Sequence, residues 1–294
     1  MNNNIYLPNV PLTNCQEFIC YWDHWHKEWY KWVIEKCQDK QPIKNDILGW
    51  PIPNGNIWQD FPEPYWGNPC APQAVFININ PAGSDGGLNA CVKPVDPLYK
   101  LYLCEKVYAK TINKLGNCPN NNSAKWFNNK RAKWAEEISS SCGKVANPGW
   151  TVNDILCVDL VPWHTPKAAQ IDSYLQSPAV CDLIMNKVLI PAISISKTIN
   201  KKCTFHGIII GRGKAVQEKI SSLCLQTIQK SSPGQIYCNK INKSYWKFTT
   251  LIYNTIDVTC RIYIGRGNMS LPKSTQNFTD SNGSQMPALY FDDS

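Results

Sequence analysis

The stretch AVFININPAGSDGG, residues 74–87, opens with an apolar run, Val75-Phe76-Ile77, and breaks into Asn78, Asn80, Pro81 and a glycine-rich turn. A short apolar run that stops in such a turn predicts a buried strand delivering polar groups at its C-terminal end. Open α/β sheets bind their ligands there. The same grammar recurs at three places. Residues 155–160 run into DLVPWHTP, 205–210 into GRGKAVQEK, and 258–264 into GRGNMSLPKS. Helical stretches are expected between the strands, at 98–115, 124–140, 182–197 and 214–229. Pro191 should mark a kink or a boundary in the third of these. Strands separated by helices predict a three-layer α/β/α fold around a mainly parallel four-stranded sheet. In such a sheet Asn80, Asp159 and the loop 265–272 leave on one side.

Two further segments precede the sheet. Residues 15–38 carry Phe18, Tyr21 or Trp22, Trp25, Trp29, Trp32 or Val33, and Cys37 at three- and four-residue steps, the spacing of one helical face. The stripe reads first as packing against the sheet and second as a platform on which bases stack. His24 and His26 are two apart and cannot share a face, which argues against a paired metal site. Residues 41–73 are dense in Pro, Gly and Trp, so little regular structure is expected. Trp50, Trp58, Tyr65 and Trp66 either line a site or cover a sheet edge. Residues 1–14 read as an arm. The domain reading is one unit over 1–273 with a polar tail at 274–294.

The chain has 294 residues, 43% of them hydrophobic, and a formal net charge of +8. Length and composition allow a sizeable globular core. The positive balance favours a polyanionic partner, although a basic protein with a neutral ligand stays open. The 14 cysteines include no C-x2-C pair, so a zinc or iron–sulfur cluster has little support. No secretory leader and no bilayer-length apolar run is visible. A reducing, cytoplasmic setting, a monomer and no cofactor are the expectations. Between residues 201 and 273 twelve basic side chains face only Glu218 and Asp257. That clustering suits phosphate contacts.

Ile79-Asn80-Pro81-Ala82-Gly83 resembles the water-activating motif of the uracil-DNA glycosylase superfamily. Val158-Asp159-Leu160 is similar to the strand that carries that family's base-reading Asn, and 211–217 resembles its penultimate strand turn and helix. Residues 265–273 hold the position of its minor-groove loop. The chain departs from the pattern at Asn78, where a glycine is usual, at Asp159, and in lacking a His-Pro-Ser loop. The resemblance implies a glycosylase acting on double- or single-stranded DNA. Asn80 would orient water, and Arg266 or Asn268 would stabilise the departing base. Asn78, Ala82, Gly83, Asp159, Trp163, His164 and Met269 would meet the flipped nucleotide. Arg212, Lys214, Ser270 and Lys273 would meet phosphates. An ionised Asp159 only accepts hydrogen bonds, which favours the exocyclic amine of cytosine over the oxygen of uracil. A modified cytosine, as in the phage-defence members of that family, fits the large aromatic insertion. His164, on a loop beyond a strand, reads as solvent-facing and functional, whereas His206 reads as a satisfied sheet residue. A non-catalytic nucleic-acid-binding module and an unrelated nucleotide- or sugar-handling enzyme are the alternatives.

Overall fold

The computed structural model describes residues 3–37, 46–52, 61–70, 72, 74–79, 97–105, 107–108, 110, 114, 128–136, 151–164, 173–197, 207–210, 249–254 and 259–264. The fold is mixed α/β, and it divides into two compact units that are each discontinuous in sequence. The first comprises Met1–Trp66, Asn80–Asn128 and Asp159–Pro191; the second comprises Gly67–Ile79, Asn129–Val158 and Ala192–Ser294.

The first unit is built around helix α1, Cys15–Cys37. Asn14 accepts from the Glu17 amide at 2.9 Å, and the Glu17 carboxylate accepts from the Thr13 amide at 2.7 Å, so the start is capped reciprocally. Phe18, Tyr21, Trp22, Trp25, Trp29, Trp32 and Val33 are all buried, so the aromatic stripe is core and carries no exposed stacking platform. Edge-to-face contacts link Trp22 to Trp25 and Trp25 to Trp163, the geometry favoured by ring quadrupoles.

The proline-rich segment after α1 holds more regular structure than its composition predicts. Strands β1, Asp46–Ile47, and β2, Trp50–Pro51, pair antiparallel across a two-residue turn. Leu48 has φ 49° and Gly49 φ 83°, the paired positive values that a type I′ hairpin needs. Trp50 is buried and donates to the Tyr21 hydroxyl at 2.8 Å. Strand β3, Tyr65–Trp66, is also fully buried. All three rings are interior, and Trp58 lies outside the described residues.

Residues 3–12 are held rather than left as an arm. A 3-10 turn spans Asn3–Tyr6. The buried Lys187 ammonium donates to Ile5 O at 2.7 Å and Val10 O at 2.6 Å and lies 4.9 Å from the Tyr21 ring centroid. Burial pushes its pKa down to about 8, against the attraction of Glu17. Removing the cation strands two carbonyls and a cation–π contact. Lys187→Met should therefore cost roughly 2–3 kcal/mol in a urea titration and expose residues 3–12 to limited proteolysis. An unchanged midpoint would show that the ammonium holds nothing.

Lys187 sits in a helical run of mixed pitch. An α-helix over Pro178–Leu183 passes into a π-segment, Ile184–Leu189, and then into a second α-helix, Ile190–Lys197. Pro191 has no N–H and its ring crowds the carbonyl four residues back, at Lys187. The π-segment absorbs this, with the Ile190 amide bonding Met185 O, five residues away. The boundary expected from Pro191 is present.

Among the described residues, the strands of the second unit pair in the order β5-β4-β6-β8-β7, with Asp159 at the end of β5 counted in the first unit. They are β4 Ala74–Asn78, β5 Ile155–Asp159, β6 Gly207–Ile210, β7 Thr249–Asn254 and β8 Thr259–Ile264. All four strands read from the sequence form. β4 pairs parallel with β6 and β6 parallel with β8, while β7 pairs antiparallel with β8. The sheet thus exceeds the expected four strands. β7 is close in sequence to β8 and adds as a hairpin, and β3 is too short to show a period. A capping box at Thr151 and Asp154 closes the turn that feeds β5. Gly67, at φ 108°, lets the chain pass close to that strand: a Cβ there would lie 2.6 Å from Ile155 O.

Candidate functional site

Within the first unit, the residues that follow β5 run antiparallel to residues 61–66. Asp159 N donates to Pro64 O at 2.8 Å, and Glu63 N donates to Pro162 O at 3.2 Å. The prolines on both segments cannot extend a regular ladder, so the pairing is short and irregular. It nevertheless brings ionisable side chains into the interior. Asp159 is 1% exposed, Glu63 2% and His164 3%.

Glu63 accepts from the Trp66 indole at 3.0 Å and lies 3.7 Å from His164 Nε2. His164 Nε2 is also 2.9 Å from Phe61 O, an acceptor, so this nitrogen carries a hydrogen. Tyr108 donates its hydroxyl to Tyr65 O. Burial raises the Tyr108 pKa well above the ordinary phenol value, and the nearby Glu63, Tyr65 and Asp159 raise it further. The hydroxyl therefore stays protonated and acts as a donor. Two carboxylates, a histidine and a phenol meet in one buried cluster, where an unpaired charge is costly and a matched donor is held strongly.

His26, on α1, borders this cluster. Its ring stacks on Tyr108 with centroids 4.2 Å apart. Nδ1 lies 2.8 Å from Trp22 O and Nε2 2.8 Å from Pro62 O. Burial pushes its pKa down from 6.5 to about 4, against the two carbonyls, which favour the charged ring. The neutral ring donates to one of them. Because the folded value is below the unfolded one, the unfolded chain binds more protons between pH 6.5 and 4. Stability is complete above pH 6.5 and falls as the pH drops towards 4. Urea unfolding at pH 7 and pH 4.5 should show the loss, and His26→Gln should flatten it. An equally steep fall in that variant would assign the effect elsewhere.

Of the residues singled out from the sequence, Asp159, Trp163 and His164 come together on this turn. Trp163 and His164 are both buried, and the solvent-facing role expected of His164 is wrong. The loop position is correct, but the carbonyl of Phe61 and the carboxylate of Glu63, about a hundred residues earlier, draw the ring inward. Asn78 is the last residue of β4, in the second unit, and is 4% exposed. Asn80, Ala82, Gly83, Arg212, Lys214, Arg266, Asn268, Met269, Ser270 and Lys273 lie outside the described residues, as does His206.

Glu63 and His26 were not legible as site residues. Glu63 stands between two prolines, which signals a loop and nothing about burial. His26 sits four residues after Trp22 on the apolar stripe, and that spacing was a usable sign of burial. Among the described residues no group of three or more His, Cys, Asp or Glu could hold a metal ion, and no helix is long and apolar enough to cross a membrane. No family model, curated protein or solved structure matches this chain.

Proposed function

We propose that this protein is a DNA glycosylase that hydrolyses the N-glycosidic bond of a flipped base, with a preference for cytosine or a modified cytosine. The proposed frame is the three-layer α/β/α arrangement of the uracil-DNA glycosylase type. The observation that carries the reading is the parallel pairing of β4, β6 and β8. Parallel neighbours end at the same edge, so the chain leaves the sheet there after Asn78, Ile210 and Ile264. The segments that begin at those points carry Asn80, Arg212 with Lys214, and Arg266 with Asn268. The edge where parallel strands end is where ligands are expected.

In the proposed reaction the C1′–N bond breaks and its electron pair leaves with the base. An N–H donor from Arg266 or Asn268 stabilises the base anion. The Asn80 carbonyl orients a water molecule, which attacks the oxocarbenium-like C1′ and releases its proton to solvent. A weak base suffices because the sugar cation forms before attack. Asp159 accepts from the exocyclic amine of cytosine, a role that suits a carboxylate held at 1% exposure. DNA, attracted by the basic region 201–273, is the proposed partner.

The test is to incubate the protein with single- and double-stranded oligonucleotides containing uracil, cytosine or 5-substituted cytosines, and with genomic DNAs of different modification, then identify released bases by mass spectrometry. Release of a cytosine-type base is the expected result. Release of uracil alone removes the role given to Asp159. Salt-dependent DNA binding with no base released would replace the enzyme by a binding module.

A further inference from the structure

The side-chain amide of Asn78 is buried, and among the described residues neither its oxygen nor its nitrogen has a hydrogen-bond partner. Burying both a donor and an acceptor without partners is costly, and folded proteins keep few such groups. An apolar side chain would have continued the run Val75-Phe76-Ile77 without that cost. The position is also where the fold expects a ligand: the C-terminal end of a strand paired parallel with β6 and flanked on its other side by β5.

Side chains alternate along a strand, so Asn78 shares its face of β4 with Phe76, about 6.6 Å away. The Phe76 ring lies flat on Trp134, with centroids 4.0 Å apart and planes inclined by 2°. Both rings are buried, so they are core, and the feature this end of the strand adds is an amide with a donor beside an acceptor. A phosphate or carboxylate would use only the amide nitrogen. A heterocyclic base uses both atoms, because cytosine, uracil and adenine each place a donor next to an acceptor on one edge.

We infer that Asn78 is a specificity residue whose amide hydrogen-bonds, through both atoms, to the edge of a nucleobase. The inference deepens the glycosylase reading and rests on it for the ligand being a base. The position is one where the family resembled has glycine, so the contact would be this chain's own.

The test uses the full chain, free cytosine, uracil and adenine as probes, and the variants Asn78→Leu and Asn78→Ala. Thermal midpoints and calorimetric affinities are measured for each protein. The expected result is that at least one base binds the natural protein and that both variants bind it at least about tenfold more weakly, the discrimination of a bidentate amide–base pair. At least one variant should match or exceed the natural midpoint, because an unpaired polar group has been removed. Equal affinity in the variants, no binding of any base to the natural protein, or a lowered midpoint in both variants overturns the inference. Base release from oligonucleotides is scored separately. A protein that binds bases through Asn78 but releases none retains this inference and loses the enzyme. One that releases bases equally well as Asn78→Leu does the reverse.

Discussion

Trp25→Ala should unfold the first unit at much lower urea than the natural chain, with a loss of about 4 kcal/mol or more. Trp25 is fully buried at the middle of α1 and touches Trp22, His26 and Trp163. Truncating a buried Trp to Ala costs about 3–5 kcal/mol through lost transfer energy and the cavity left behind. The indole also donates to Ile47 O at 3.1 Å, and losing that bond adds roughly 1 kcal/mol. Set against a typical total of about 5–15 kcal/mol, this is a large fraction. Trp25→Phe separates the two contributions: it keeps a ring in the cavity and loses the hydrogen bond, so it should retain most of the stability. A Trp25→Ala midpoint within 1 kcal/mol of the natural one would mean that the stripe is not the core of its unit.

The second large effect concerns chemistry. On the glycosylase reading, Asn80→Ala loses its hold on the attacking water. A misplaced nucleophile costs on the order of 100-fold in rate. Single-turnover base release should therefore fall at least about 100-fold, while affinity for the same oligonucleotide and its salt slope stay unchanged, because phosphate contacts carry both. Binding and release both unaffected would assign the water to another residue or remove the enzyme. A parallel fall in affinity would make Asn80 a binding group.

Four of the sheet strands were readable because each is a short apolar run between turn residues, whereas β3 and β7 were not read as strands. The strand expected at 155–160 forms as Ile155–Asp159, and the one expected at 205–210 forms as Gly207–Ile210. Hairpin β1–β2 escaped because a two-residue strand has no period to read, and Leu48 is an unusual residue at positive φ. The buried cluster escaped for a different reason. Glu63 and His164 are polar residues in loops, where composition argues for exposure, and only the approach of two distant proline-bearing segments encloses them.

Sequence alone determined the amphipathic helix, the parallel strands and the polar residues at their ends, because those depend on periodicity and on neighbours a few residues away. Tertiary structure decided which polar groups go inside. Lys187 holds residues 3–12 through carbonyls more than 170 residues away, and His164 turns inward to a carbonyl 103 residues earlier. Hydrogen bonds of that kind join backbone acceptors, which every residue carries, so no side-chain pattern along the chain announces them.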